Sequence, residues 1–394
     1  MARSRTAFGT DEIADFALRM LRQQSLSGEE GKVADVIENE MRRLGLEVER
    51  DELGNVTGTL DAGPGPAILI DGHMDTVGVT NPDQYKFDPW GQRTEGRLYG
   101  RGAMDEKGPL AAALYGVASL AGRLSGGRVT VSASIAEEFV EGTALLHVAE
   151  RVKPDFVIIC EATSLKVARG QRGRAEIKIE VQGRATHSSR PDLGINAAQA
   201  AVDIVMALRQ LEAPHHEVLG GGILVLTDLV SQPLPALSVV PHLCTAIFDR
   251  RTLPGETETG ILEPIEKLMK AATAATGASA KVWINEDDFV TYTGKRVTAP
   301  NFAPAWFFEE QAPIVQAALR GVHQAGIQPE LCHYAFCTNG SATAGRLGIP
   351  TIGFGPGDEE RAHRIDEYVE EADLEQAHRA YAAIVEELVR VLRS

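Results

Sequence analysis

The order of short apolar runs and amphipathic stretches constrains the fold of this chain more than any other feature. Residues 67–70, 129–135 and 156–159 are apolar runs bounded by Gly, Pro or Asp, which is typical of buried strands. Helical patterns precede and separate these runs, and Ser27 with Glu30 matches a capping box at the start of one of them. Strands that alternate with helices predict an α/β fold, with a mixed sheet and helices on both of its faces.

The pattern changes between residues 174 and 290. There the sequence predicts strand, helix, two strands, helix and strand, which is the βαββαβ order of a small two-layer α+β domain. A later apolar run at 349–354 belongs to the first pattern again. We therefore predict that residues 1–173 and 291–394 form one main domain, and that residues 174–290 form a second domain inserted in it.

Composition excludes several classes of protein. The chain has 394 residues, with 55 Asp and Glu against 39 Lys and Arg and a net charge of −16. It therefore lacks the basic surface that nucleic-acid binding requires, and anionic lipid would repel it. No segment approaches the roughly 18 consecutive apolar residues of a membrane span, and residues 1–8 carry no apolar signal core. Because the four cysteines include no CxxC pair, we expect reduced thiols and a cytoplasmic protein.

Polar side chains follow the ends of four predicted strands. Ligands bind beyond the carboxyl ends of the strands in open α/β sheets, so we expect these side chains to share one crevice. A further aspartate stands in a glycine-rich turn before a helix and could join them. In chain order, the acidic and imidazole residues of this predicted site are His73, Asp75, Asp105, Glu137, Glu138, Glu161 and His363.

Charge indicates what such a site must contain. Five carboxylates packed with two imidazoles would repel one another or take up protons, at a cost of several kcal/mol each. Two divalent cations would nearly balance the five negative charges. Imidazole and carboxylate ligands suit Zn²⁺, Co²⁺ or Mn²⁺, and the absence of Cys ligands argues against a closed structural zinc site. Two metals that share so few ligands keep open positions for water, which is typical of a catalytic site.

In combination, the motifs resemble the co-catalytic zinc metallopeptidases, the family of aminoacylase, acetylornithine deacetylase, succinyl-diaminopimelate desuccinylase and glutamate carboxypeptidase. The resemblance runs in order from about residue 10 to about residue 390. The segments Arg-Gly-Gln-Arg-Gly at 169–173 and Thr-Asn-Gly at 338–340 are similar to a subgroup of peptidases linked to selenium metabolism. Besides the single residues above, the motifs are Ile-Asp-Gly-His-Met-Asp-Thr at 70–76, Gly-Arg-Gly-Ala-Met-Asp-Glu-Lys-Gly at 100–108 and Thr-His-Ser-Ser at 186–189.

The resemblance implies a role for each residue of the predicted site. One metal ion would be bound by His73 and Glu161, the other by Glu138 and His363. A bridging carboxylate, Asp105, would contact both ions. The remaining two acidic residues would have other roles. Asp75 would hold the free nitrogen of His73, and Glu137 would be the general base.

The same resemblance implies residues outside the metal site. His187, in the inserted domain, would reach the active site of a partner subunit and stabilise the developing oxyanion. Arg251 would bind a substrate carboxylate, and Asn339 and Gly340 would line the substrate side. The expected protein is thus a homodimer, joined through the inserted domain, that hydrolyses a dipeptide or an N-acyl amino acid.

Other interpretations remain open on the sequence alone. Taken singly, His363 looks like a surface residue, Asp105 like a turn residue, and Glu137 with Glu138 like a solvated helix start. The sequence departs from the pattern of the family at two places. Many relatives have Asp where Glu161 stands, and the loop at 139–143 is less rich in glycine than theirs. An N-carbamoyl amino acid amidohydrolase is the alternative enzyme, and a non-catalytic metal-binding dimeric scaffold is the alternative of another class. No strand is followed by GxGxxG, which argues against a nucleotide-binding oxidoreductase.

Overall fold

A computed structural model describes residues 8–391 of the protein. Residues 1–7, where the sequence shows no signal core, and residues 392–394 lie outside the described part. Within it, no helix is both long and apolar enough to cross a membrane. The helices are α1 (Thr10–Leu21), α2 (Gly31–Arg43), α3 (Gly108–Ala118), α4 (Thr143–Val152), α5 (Ala197–Leu208), α6 (Glu258–Thr273), α7 (Pro313–Gln324) and α8 (Glu371–Val391).

The strands are short, and their bounds follow in chain order. The first eight are β1 (Glu47–Arg50), β2 (Val56–Asp61), β3 (Ala67–His73), β4 (Gln92–Thr94), β5 (Arg97–Tyr99), β6 (Arg128–Ser134), β7 (Phe156–Ile159) and β8 (Val167–Gln171). The next six are β9 (Gly173–Gln182), β10 (His215–His216), β11 (Gly220–Gly221), β12 (Ile223–Gln232), β13 (Leu243–Thr252) and β14 (Ser279–Ile284). The last seven are β15 (Glu286–Val290), β16 (Arg296–Pro300), β17 (Phe302–Ala303), β18 (Trp306–Phe307), β19 (Leu331–Tyr334), β20 (Thr351–Gly353) and β21 (Tyr368–Glu370).

A mixed sheet of nine strands carries the predicted site. Its order is β1-β2-β6-β3-β7-β20-β8-β18, with β19 beside β8. The four neighbours β6, β3, β7 and β20 run parallel and correspond to the four apolar runs of the sequence. Strand β3 is buried along almost its whole length, as expected for a parallel strand covered on both faces. The predicted α/β class with a mixed sheet is confirmed.

The chain divides into two compact units. Unit 1 comprises Met1–Gln171, Asp288–Thr298 and Trp306–Ser394, and unit 2 comprises Arg172–Asp287 and Ala299–Ala305. The last segment of unit 2 contains β17, which pairs with β9, so the division differs by several residues from the predicted boundaries. The predicted roles of the two domains stay predictions.

Unit 2 contains β9, α5, β12, β13, α6 and β14 in the βαββαβ order. Its antiparallel sheet has the order β12-β13-β9-β14, with β17 beside β9. Alternate residues of β9 and β13 face α5 and α6 and form an apolar core that includes Ile177, Phe248 and Ile265. Strand β13 begins at Leu243, two residues after Pro241, which has no N–H to donate to a strand ladder.

The predicted capping box at Ser27 and Glu30 is wrong. Helix α2 begins at Gly31, with Glu30 as its N-cap residue, and no side chain caps it. Both side chains instead bond to distant loops: the hydroxyl of Ser27 donates to Asp75, and the carboxylate of Glu30 accepts from the backbone of Ala136. Tertiary hydrogen bonds have replaced the local ones that the pattern indicates.

Candidate active site

The parallel order of β6, β3, β7 and β20 brings the predicted site residues to one edge of the sheet. His73 is the last residue of β3, and Glu137 and Glu138 follow the end of β6. Glu161 stands two residues after the end of β7, and the chain after β20 leads to His363. Because the carboxyl ends of parallel strands meet at the same edge, side chains far apart in sequence lie within contact distance.

Asp105 lies between the two imidazoles. Its Oδ1 is 3.0 Å from His73 Nε2, and its Oδ2 is 3.1 Å from His363 Nε2. His363 Nε2 is also 3.0 Å from Glu138 Oε1, and His73 Nε2 is 3.8 Å from Glu161 Oε1. The structure thus brings together all five residues predicted to bind metal, as two groups that share the carboxylate of Asp105.

Burial gives this cluster unusual acid–base properties. Burial raises the pKa of Glu161 and of Glu137 well above 4.5, and neighbouring carboxylates raise both further. Hydrogen bonds to Asp105 and Glu138 raise the pKa of His363 to about 10. Burial opposes ionisation of Asp105, but hydrogen bonds from both histidines hold its pKa below 3.8. Without counter-ions the cluster must therefore hold extra protons.

The donor atoms fit divalent metal ions. Ligand atoms of His73, Asp105 and Glu138 lie within 4.8 Å of one another, as do those of His73, Glu106 and Glu161. Oxygen Oε2 of Glu106 is buried and has no hydrogen-bond partner within residues 8–391, which is costly for a carboxylate unless a cation is near. Imidazole nitrogens and carboxylate oxygens are the ligands that zinc, cobalt and manganese accept.

Sequence reasoning missed Glu106. Its Oε1 accepts a hydrogen bond from the backbone N–H of His73, so the residue after Asp105 holds the end of β3. A Cβ at Gly72 would lie 3.1 Å from that oxygen, and glycine at this position leaves room for the carboxylate. The glycine of the 70–76 motif is the signal that could have indicated a close neighbour there.

Asp75 contacts His73 through its backbone more closely than through its side chain. Nδ1 of His73 is 2.9 Å from the carbonyl oxygen of Asp75 and 3.5 Å from Oδ1. The carboxylate accepts hydrogen bonds from the backbone N–H groups of Glu137 and Glu138, at 3.0 and 3.1 Å, and from the hydroxyl of Ser27 at 2.7 Å. The side chain of Asp75 therefore fixes the turn that carries Glu137.

His187 and Arg251 belong to unit 2. His187 is exposed, and its Nδ1 accepts the backbone N–H of Ser189 at 3.1 Å. Since only an unprotonated nitrogen accepts, this bond leaves the proton of a neutral ring on Nε2. Arg251 Nε donates to Asp249 Oδ1 at 2.8 Å, and Arg174 Nε donates to Oδ2 of the same carboxylate at 3.0 Å.

Asn339 and Gly340 are buried in unit 1. The side-chain amide of Asn339 donates to Asp71 at 2.9 Å, and its oxygen accepts from the backbone of Gly142 at 2.7 Å. A Cβ at Gly340 would lie 2.8 Å from the indole nitrogen of Trp306. These contacts favour a packing role, and the predicted contact of both residues with substrate stays a prediction.

The chain is similar to several known proteins. Residues 69–387 match the model of peptidase family M20/M25/M40. The chain is 34% identical over 382 residues to the uncharacterized protein YgeY of Escherichia coli (strain K12), covering 95% of this chain and 93% of that protein. It is 28% identical over 314 residues to an acetylornithine deacetylase of Buchnera aphidicola subsp. Schizaphis graminum, covering 77% and 76%. The structure of YxeP from Bacillus subtilis, described as a dinuclear metal-binding peptidase from the M20 family, matches with a TM-score of 0.73 at 14% identity, covering 97% and 99%.

We expect the metal-stripped protein to lose stability as the pH rises from about 5 to about 8. The pKa values of Glu137, Glu161 and His363 are raised in the folded chain, so the unfolded chain releases these protons first and is favoured as the pH rises. The lowered pKa of Asp105 acts only below this window. Thermal unfolding after chelation, with a metal-loaded sample as control, measures the effect. A melting temperature of the stripped protein that is constant or rises over this range would contradict it.

Proposed function

This chain belongs to peptidase family M20/M25/M40, and on that premise we propose that it is a metal-dependent hydrolase that cleaves a dipeptide or an N-acyl amino acid. Hydrolysis of amide bonds in small substrates is the activity of the family. The observation that carries the metal-dependent mechanism is the position of Asp105 between His73 and His363. The similarity to the selenium-linked subgroup slightly favours a dipeptide with a free carboxylate.

The cluster would hold two divalent ions, Zn²⁺ in the first place, with Co²⁺ or Mn²⁺ as alternatives. His73 and Glu161 would hold one ion and Glu138 and His363 the other, with Asp105 between them. The bound ions supply Lewis-acid chemistry: they polarise the scissile carbonyl and lower the pKa of water. The dinuclear site of YxeP supports this assignment.

Glu137 would move the proton. Burial raises the pKa of its carboxylate well above 4.5, so it takes up a proton more readily than an exposed glutamate does. It would accept a proton from the attacking water and donate it to the nitrogen of the leaving amine. Its backbone N–H is held by Asp75 Oδ1, which fixes the point from which the side chain extends.

His187 and Arg251 would bind the substrate. Because Nδ1 of His187 accepts from Ser189, Nε2 is the ring nitrogen that can present an N–H donor, which suits an oxyanion that forms during the reaction. Arg251 presents a guanidinium that Asp249 holds from one side, which leaves its other N–H groups for a substrate carboxylate. Asn339 and Gly340 would support the loop on the substrate side.

The partner would be a second copy of this chain. Strand β12 is an edge strand of the unit 2 sheet, and Val202 and Met206 of the adjacent helix α5 are also exposed. A long apolar edge strand is a ready template for pairing with another sheet. We therefore propose a homodimer through unit 2, in the cytoplasm, where the free cysteines would stay reduced. The exposed apolar residues of β12 are Ile223, Val225, Leu226, Leu229 and Val230.

A panel of dipeptides and N-acyl amino acids, assayed with the metal-loaded protein, tests the proposed substrate class. We expect release of a free amino acid from at least one substrate that bears a carboxylate, and no release after chelation. N-carbamoyl amino acids complete the panel, because they alone yield ammonia and carbon dioxide. Turnover of these alone would replace the peptidase with the amidohydrolase, and no turnover by a protein that binds two ions would favour a non-catalytic scaffold.

Replacing the proposed base should separate catalysis from metal binding. We expect Glu137→Ala to keep both ions and to lose about 10²–10⁴ in kcat, the usual contribution of a general acid–base group. Glu150→Ala is the matched control, because Glu150 is an exposed carboxylate on α4. Unchanged kcat in Glu137→Ala, with metal content verified by elemental analysis, would exclude Glu137 as the base.

Mixed dimers test whether His187 acts across the interface. If it does, a hybrid of a His187→Ala subunit and a Glu137→Ala subunit contains one complete site. Random mixing should then restore about a quarter of wild-type activity, because half of the dimers are hybrids with one of two sites complete. Glu137→Ala mixed with Glu137→Gln is the control and should stay inactive. No recovery, with hybrid formation shown by native mass spectrometry, would exclude action across the dimer.

A further inference from the structure

Four successive backbone amides after β6 are held by side chains. Strand β6 ends at Ser134, and the segment 135–138 carries the proposed base and one proposed ligand. In an ordinary loop such amides bond to water or to other backbone groups. Here Ile135 N donates to Asn55 Oδ1 at 3.1 Å, Ala136 N to Glu30 Oε1 at 3.1 Å, Glu137 N to Asp75 Oδ1 at 3.0 Å and Glu138 N to Asp75 Oδ2 at 3.1 Å.

The second of these contacts lies at the most unusual backbone position of the segment. Ala136 has a φ of 53°, in the left-handed region that a residue with a Cβ rarely adopts. A residue in this region changes the direction of the chain, and Glu137 is the residue that follows. The bond from Ala136 N–H to Glu30 Oε1 stabilises that turn.

The carboxyl group of Glu30 is buried at a cost in free energy. It is fully buried at the start of α2, and its Oε2 has no hydrogen-bond partner among the described residues. Burial also raises the pKa of its carboxyl to about 7. No side chain of the described residues caps α2, and besides Ala136 the carboxyl group contacts the local backbone N–H groups of Gly28 and of Glu30 itself. Burying a carboxyl group costs free energy, so we attribute its presence here to the hydrogen bond with the turn at Ala136.

The segment that carries Glu30 also reaches Asp75. The hydroxyl of Ser27, three residues earlier, donates to Asp75 Oδ2 at 2.7 Å. Asp75 in turn accepts the backbone N–H groups of Glu137 and Glu138. Residues 27–30 therefore contact the base segment directly and through Asp75.

We propose that Glu30 is a positioning residue for Glu137: its Oε1 fixes the left-handed turn at Ala136 and thereby the direction in which the base extends. This inference rests on the proposed function, since it assumes that Glu137 is the base. Glu30 itself is not expected to contact substrate or metal. Its loss should slow the reaction without weakening substrate binding, because a base displaced by about 1 Å can cost up to about 10²-fold in rate.

Two replacements of similar size test the proposal. Glu30→Gln keeps an oxygen that can accept the N–H of Ala136, and Glu30→Met fills the volume without an acceptor. We expect Glu30→Gln to retain most of kcat, and Glu30→Met to lose between about 10- and 10²-fold. KM and a content of two metal ions per chain should be unchanged in both. Glu29→Met is the matched control, because Glu29 is the exposed neighbour.

Hydrogen exchange gives a readout that does not depend on activity. We expect faster exchange in a peptide covering 135–138 for Glu30→Met than for Glu30→Gln or Glu29→Met. Wild-type kcat and exchange in Glu30→Met would overturn the proposal, as would a loss of metal or of the folded state that matches the loss of rate. If the wild-type protein hydrolyses nothing, the proposed function fails, whereas unequal exchange among the variants still supports the contact at Ala136.

Discussion

Charge crowding at one edge of the large sheet is the constraint on which the rest of the structure depends. Carboxylate oxygens of Asp105, Glu106, Glu138 and Glu161 lie within 4.8 Å of a ring nitrogen of His73, and Glu137 is also buried. Burial disfavours the ionised forms of all five carboxylates. Two imidazoles cannot neutralise them. A chain that retains such a group must either hold protons there or bind cations, and the donor atoms suit cations.

The fold supplies what this cluster needs. Parallel strands β6, β3, β7 and β20 end at the same edge, so residues from four distant parts of the chain meet without long loops. Buried side chains then fix the loops that leave these strands. Asp75 and Glu30 hold the segment after β6, and Glu106 holds the end of β3 through the backbone of His73. The site therefore depends as much on these hydrogen bonds as on its metal-binding atoms.

Pattern and spacing predicted the parts of the protein that depend on local periodicity or on strand order. The four apolar runs predicted the central strands, and the ends of these runs predicted where His73 and Glu161 lie. The contacts of Ser27 and Glu30 were not predictable, because a capping box and a tertiary bond use the same residue types. Glu106 was missed because Gly72 indicates only that some group lies close to β3, and not that this group is the side chain of Glu106.

A crystal structure of the protein grown with zinc, with diffraction data on both sides of the zinc absorption edge, tests the central claim most directly. The account predicts two anomalous peaks about 3.5–4 Å apart, one on each side of the Asp105 carboxylate. His73 should lie against one peak and His363 against the other. A single peak, or peaks away from Asp105, would contradict the account.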